Sequence, residues 1–509
     1  MPPQSPVENE LHAAQARLAT LYSGDTFASA ADVWSSTLAD HFRTLQSRTG
    51  NVLNWQEPEP NIASAAETLP SPRFLPNETT EWLPTFTELL RKTLANGQNL
   101  HHPRYIGHQV PASIPIAALF DAMGSVTNQV MAIYEMGPWA TSVENVMIAK
   151  LGAEIGYAPG SFGGLITSGG SLANLTALLT ARNVAVENSW RNGVSDAKQL
   201  AMIVQADVHY CVTRAAGILG IGTNQIVRVP VDERRRMKVD ELSHIVRKLK
   251  ANGQTIVAVV AGACATPIGA FDPLHEVADV CESEKVWMHV DAAHGGAALM
   301  SEKHRHLMSG SERADSIVWD AHKMLFMPAL CAFAFYKNKE HRFAAFEQDA
   351  PYLFDPSNPG IAEYDSGTKT IECTKRAAAY GLWGIWSLFG RQIFTDLVDV
   401  TFGLTQTFHR MLLESPDFEP LHQPQCNIQA FRYLPPQVRD WPATRVGEFQ
   451  LGLRREVITN GNAYIVPIKI EGVGALRATV INPCTTENDL VEVLSETRRC
   501  GEAVLKSLA

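Results

Sequence analysis

VWMHVDAAHGG (residues 286–296) and SIVWDAHKM (residues 316–324) are the two stretches that decide the fold. Each is a short apolar run that stops at a charged residue: Asp291 ends the first, and Lys323 lies just beyond the end of the second. Runs this short and this apolar, bounded by turn residues, read as strands buried on both faces. Ligands of open parallel sheets bind outside the carboxyl ends of the strands, so Asp291 and Lys323 are placed to reach one crevice.

The same pattern extends outward on both sides. From about His102 to Tyr336 the runs Ala201–Val204, Gln225–Val229, Thr255–Ala261, Val286–Val290, Ser316–Trp319 and Ala332–Tyr336 alternate with helical stretches. Such alternation predicts an α/β domain with a mainly parallel sheet. Residues 1 to about 60 read as one or two amphipathic helices; Pro58, Pro60, Pro70, Pro72 and Pro76 then break the pattern before a helix near Glu81–Asn96. After a loop rich in Pro, Gly and Asp (Asp349–Gly367) come a long helical pattern through Leu404, strand-like Asn427–Tyr433 and Ala475–Ile481, and a terminal helix from Glu487. The expected organisation is an N-terminal helical arm over 1–100, a large α/β domain over 101–390 and a smaller C-terminal α+β domain over 391–509.

Bulk properties exclude several classes of function. The 509 residues are 45% hydrophobic and 19% charged, ordinary for a globular chain with more than one core. A formal charge of -10, with no basic run longer than Arg234–Arg236, would repel a nucleic-acid backbone. Eight cysteines without a CxxC pair fit a reducing, cytoplasmic setting and predict no metal centre. The start, MPPQSPVENE, lacks the basic and apolar regions of an export signal, and the longest apolar run, Ile256–Ala265, is about half a membrane span of ~20 residues. No membrane partner is expected.

Two further segments carry chemistry. GGLITSGGSLANLTALL (163–179) reads as a strand, a Gly-rich turn and a helix start, where backbone N–H groups and the Ser171 hydroxyl suit a phosphate. In QADVHYCVTRAAGILGIG (205–222), His209 follows a strand and opens a helix, a position from which its ring can lie on a flat cofactor. A pyridoxal 5'-phosphate enzyme needs a lysine whose amine forms an imine with the cofactor aldehyde, and a carboxylate that keeps the pyridine nitrogen protonated. Lys323 and Asp291 meet both needs. Singly, an aspartate there is a strand-end cap, a lysine a solvated surface residue and a Gly-Gly-Ser turn only a turn; the joint set is what points to the cofactor.

In order and wording these motifs resemble the group II pyridoxal-phosphate-dependent amino acid decarboxylases, the family of glutamate, cysteine sulfinate, aromatic amino acid and diaminobutyrate decarboxylases. The resemblance runs from HPRYIGH at His102 to NPCTT at Asn482, and HVDAA, DAHKM, TSGGSLAN, YLF followed by EYDSG, and IECTKRAAAYGLW carry it. It implies a fold-type I enzyme: a mainly parallel seven-stranded sheet, a small C-terminal domain, and a homodimer with active sites at the interface and an N-terminal arm wrapped on the partner. It implies Lys323 as the Schiff-base lysine, Asp291 as the pyridinium partner, His209 stacked on the ring, Gly170 and Ser171 on the phosphate with His322 close by, and Thr266 near the cofactor. Arg477, in ALRATVINP, matches the arginine expected to grip the substrate α-carboxylate, chemistry that a bidentate guanidinium suits.

The sequence also departs from that pattern. Where many members carry a loop tyrosine thought to protonate Cα, counting between Tyr352-Leu353-Phe354 and Tyr364-Asp365-Ser366-Gly367 reaches Gly360, with Tyr364 or a realigned Tyr352 as substitutes. His294 replaces the aromatic residue common after DAA, Ala265 stands where a second threonine is frequent, and His108 and Gln109 are candidates to line a side-chain pocket. The leading expectation is decarboxylation of an L-amino acid to its amine and carbon dioxide. The alternative, motivated by Gly360, is decarboxylation coupled to oxidative deamination with an aldehyde product; a cofactor-free scaffold is disfavoured by the intact Lys323 and Asp291.

Overall fold

The computed structural model describes residues 6–69, 82–194, 196, 199–346 and 359–508. Two compact units make up the chain: Met1–Ile106 with Leu451–Ile465 and Cys484–Ala509, and Gly107–Gln450 with Val466–Pro483.

The larger unit is organised by an eight-stranded sheet. Its strands are β1 (Gly163–Thr167), β2 (Leu200–Gln205), β3 (Ile226–Val229), β4 (Thr255–Ala265), β5 (Ala270–Phe271), β6 (Met288–Asp291), β7 (Ser316–Asp320) and β8 (Ala332–Tyr336). Seven of them run in the order β1-β8-β7-β6-β4-β2-β3, and β5 adds a short antiparallel pairing to the end of β4. β7, β6, β4, β2 and β3 are mutually parallel, whereas β8 lies antiparallel to both β7 and β1. The reversal has a simple cause. A parallel return needs a crossover of about a dozen residues or more, usually helical, and the link from Asp320 to Ala332 holds only turns.

Both faces of the sheet are covered, which is why its strands are apolar throughout. Helix Gly170–Ala185 lays Ala173, Ala177, Leu178 and Ala181 against Leu165, Met202, Val204, Val260, Val318 and Ala334. Alanines on that helix face let it approach the branched side chains closely; each fully buried Val or Leu in such a layer contributes about 1.5–3 kcal/mol. The long helical pattern of the sequence is two helices, Tyr380–Phe389 and Gln392–Glu414, interrupted at Gly390, whose φ of +69° suits only glycine readily. A four-stranded antiparallel sheet completes the unit: β9 (Phe418–Pro420), β10 (Ile428–Tyr433), β11 (Val466–Ile470) and β12 (Val473–Thr479), in the order β11-β12-β10-β9.

The smaller unit contains the helices Pro6–Leu21, Gly24–Gln46, Pro58–Ala66, Leu83–Ala95 and Glu487–Leu508. Ser23 caps the second through the Thr26 N–H, and the Arg48 guanidinium grips Asp489 at 2.8 and 2.9 Å, tying the first part of the chain to the last.

Candidate active site

The carboxyl ends of the parallel strands converge on one cavity of about 310 Å³. β6 ends on Asp291 and β7 on Asp320, and the turn after β7 brings round His322 and Lys323. The last residues of β4 lead into Thr266, β1 leads through the Gly-rich turn to Gly170 and Ser171, and β2 leads to His209. Gly170, Ser171, His209, Thr266, Asp291, His322 and Lys323 all line this cavity, together with Gln109, Ala265 and His294. His108 is exposed and Arg477 is buried on β12; neither is among the lining residues, but Arg477 Nη1 donates to the Thr266 carbonyl at 2.8 Å. A second cavity, of about 390 Å³ and lined by Trp287, Arg313, Asp315 and His341, lies by the opposite ends of β4, β6 and β7 and holds none of these residues.

Local chain chemistry fixes each group. Gly169, at φ +113°, makes the turn that starts helix Gly170–Ala185, so the first N–H groups of that helix face the cavity end of β1. A Cβ on Gly170 would sit 2.5 Å from Asp320 Oδ2, which no side chain can accept without displacing the carboxylate. Asn174, one turn on, donates to the Gly170 carbonyl at 2.9 Å and meets His289 Nε2 at 2.8 Å. His289 in turn meets Ser316 Oγ at 2.8 Å, so β6, β7 and the helix are pinned just beneath Asp291.

His209 caps helix Tyr210–Ile218, its Nδ1 accepting from the Cys211 N–H at 3.3 Å. Its proton is therefore on Nε2, and burial lowers its pKa, with Asp291 opposing, so the ring is neutral. His294 is buried, and its Nε2 meets Asn427 Oδ1 at 2.8 Å. The amide of Asn427 donates to the Val480 carbonyl, which orients its oxygen toward the imidazole and makes Nε2 the donor. Burial lowers the His294 pKa to about 3.

Lys323 lies 3.0 Å from Asp320 Oδ2, and His322 Nε2 lies 3.6 Å from the same oxygen. Burial works to lower the Lys323 pKa, but Asp320 and then Asp291 outweigh it and hold the amine above its ordinary value. Asp320, Asn174 and Asn427 were missed in the sequence reading. Asp320 alone left a signal: it is an acidic residue at the end of an apolar strand, as Asp291 is.

Gly360 lies in the short helix Pro359–Ala362. Tyr364 is exposed, its ring 6.0 Å from that of Tyr134, and does not line the cavity; Tyr352 lies outside the described residues. Among the described residues no cluster of His, Cys, Asp or Glu is arranged to hold a metal ion. The set fits pyridoxal phosphate: an amine, a carboxylate and an imidazole around one cavity, with a helix N-terminus and a glycine too tightly packed for any Cβ at its edge.

The chain is similar to known proteins over most of its length. The pyridoxal-dependent decarboxylase conserved domain matches residues 69–434. The chain is 29% identical over 468 residues to the acidic amino acid decarboxylase GADL1 of Xenopus tropicalis, covering 88% of each chain. It is 30% identical over 423 residues to the human protein of that name, covering 82% of this chain and 81% of the other. Among solved structures, mouse CSAD superimposes with a TM-score of 0.84 at 26% identity, over 93% of this chain and 98% of that one. The Oryza sativa TDC structure with PLP and tryptamine shares the fold, with a TM-score of 0.86 at 20% identity over 95% and 99% of the two chains. This chain belongs to the pyridoxal-dependent decarboxylase family, as a fold-type I carboxy-lyase that acts on an amino acid with pyridoxal phosphate.

Proposed function

We propose that Lys323 holds the cofactor through its ε-amine, that Asp291 faces the pyridine nitrogen, and that His209 lies against the ring. The observation that carries this reading is the convergence of these three side chains with Gly170 and Ser171 on a single cavity. Bound pyridoxal phosphate supplies an electron sink for the pair left at Cα when carbon dioxide departs. The residues of the chain do the rest. The N–H groups at the start of helix Gly170–Ala185, with Ser171 and His322, bind the phosphate. Arg477 orients the α-carboxylate from beyond Thr266. The His209 Nε2–H stands as a proton donor in the cavity.

The product is the amine, and the substrate is an L-amino acid. Acidic amino acids come first in the order of testing, because the relatives of similar length are named acidic amino acid decarboxylases. Gly360 supports a second reading, in which decarboxylation is followed by oxidative deamination, since glycine offers no acid at the position where many relatives have a tyrosine.

Homodimerisation is also proposed. On helix Pro115–Val126, Ile116, Leu119, Met123 and Val126 form one exposed apolar stripe, and Leu11 and Leu18 on the first helix, with Tyr22 just past its end, are likewise exposed. A second copy of this chain is the proposed cover for both. The division into an arm over 1–100, a domain over 101–390 and a domain over 391–509 is retained as the proposed functional layout. Residence in the cytoplasm is supported by the eight cysteines, all free. Among the described residues no helix is long and apolar enough to cross a membrane.

The deciding experiment is an absorbance spectrum of the purified protein, then incubation with L-amino acids while carbon dioxide, amine, aldehyde and peroxide are recorded. A borohydride-sensitive visible band with amine as product is expected, and both should vanish in Lys323→Ala. Persistence of band and turnover in that variant would end the reading; aldehyde with peroxide would transfer it to the oxidative course.

A further inference from the structure

The Asp320 carboxylate has no part in the cofactor contacts proposed above, yet it is the most tightly enclosed acid at the cavity. It is 1% exposed at the end of β7, with its backbone fixed at both ends: the N–H donates to the Ala293 carbonyl at 3.1 Å, and the carbonyl accepts from the Lys323 N–H at 3.2 Å. Neither carboxylate oxygen accepts an aligned hydrogen bond. An ionised carboxylate enclosed in this way costs several kcal/mol unless a charge answers it. The ammonium of Lys323, at 3.0 Å, is the group in place to do so. The relation is reciprocal, because a lysine buried without a counter-charge gives up its proton.

Other titratable groups also face the amine. Asp291 favours its charge, while burial keeps Cys211 a protonated thiol and holds His209 and His294 neutral. Cys264 faces it as a protonated thiol. His322 shares the same Asp320 oxygen at 3.6 Å. Of all these, Asp320 is the one that lies at ion-pair distance from the amine.

We propose that Asp320 is a positioning residue which, in the cofactor-free protein, keeps the ε-amine of Lys323 protonated and anchored at the end of β7, so that the amine becomes a nucleophile only on giving up a proton. Its functional meaning rests on the reading of Lys323 as the cofactor lysine; its physical content does not.

The test therefore avoids the cofactor. Cofactor-free protein is labelled with acetic anhydride across the alkaline pH range, and acylation of Lys323 is followed by mass spectrometry against surface lysines of the same molecule. Wild-type Lys323 should titrate above those lysines. Asp320→Asn should lower the midpoint by about one pH unit or more and raise labelling below it about tenfold, whereas Asp320→Glu should keep the high midpoint. An unchanged midpoint in Asp320→Asn, or an equal fall in Asp320→Glu, overturns the proposal. If Asp320→Asn does not fold, a wild-type midpoint at or below the surface lysines has the same force. A protein that never binds pyridoxal phosphate would refute the cofactor reading and leave this result standing.

Discussion

Gly170 stands where three functions meet: it starts a helix, borders the proposed phosphate site and abuts the Asp320 carboxylate. Replacing it with alanine forces a methyl group to within 2.5 Å of an oxygen whose backbone is held on both sides. Gly170→Ala should lose about 1–3 kcal/mol of stability to overpacking and, with the cradle displaced, bind pyridoxal phosphate roughly tenfold more weakly, a cost of about 1.4 kcal/mol. Titration of the cofactor by absorbance measures this, and unchanged affinity would remove Gly170 from the phosphate site. The groups that could be read from sequence were those that end a strand or open a helix, because position along a parallel sheet implies position around its crevice. Lys323, Asp291, His209 and Ser171 are of that kind. Asn427 is not: it reaches His294 from β9–β10 chain far away in sequence, and nothing local to an Asn in QCNIQAF announces the contact.

Helix Pro115–Val126 shows at the scale of the element how one sequence serves two surfaces. Its inner face is closely packed: a Cβ on Gly124 would meet the Tyr380 ring at 3.1 Å, and a Cβ on Gly384 would enter the ring of Phe120. Its outer stripe, Ile116, Leu119, Met123 and Val126, stays exposed. Met123→Glu with Leu119→Glu should leave the inner packing intact and convert a dimer to a monomer, read as a halved mass by light scattering at micromolar concentration. A wild-type protein already monomeric at that concentration would refute the dimer. Among elements, the strands with unbroken apolar runs were legible to within a residue or two, and β8 was read with both ends as observed. β4 extends four residues past the run first assigned to it, to Ala265, because Gly262 interrupts the apolar pattern without interrupting the pairing with Asp291. β11 escaped notice since its VPIKI carries a proline, Pro467, at the second position and alternates into solvent, as an edge strand does.

Across the molecule, burial keeps several imidazoles neutral. It lowers the pKa of His102, His289 and His422 to about 4, and that of His294 to about 3. These groups bind protons more readily when unfolded, near an ordinary value of 6.5, so their contribution to stability is full above that pH and is lost as pH falls toward 3–4. By pH 5 each buried imidazole should have forfeited on the order of 1–2 kcal/mol. Thermal unfolding followed from pH 7.5 to 5 should show a falling Tm, and His294→Gln should flatten the slope; a Tm indifferent to pH over that range would contradict the buried neutral rings. Contacts between the chain's beginning and end, such as Arg48 with Asp489, left no mark in local periodicity because they depend on closure of a very long loop. That closure has a consequence during synthesis. Met1–Ile106 leaves the ribosome first, but its unit is finished only by Cys484–Ala509. At about 5–20 residues per second the wait lasts tens of seconds, while the catalytic sheet is already assembling. Throughout that interval the first helices have one another to pack on but lack Cys484–Ala509, and nascent chains of this protein should be clients of whatever holdase meets them at the tunnel exit.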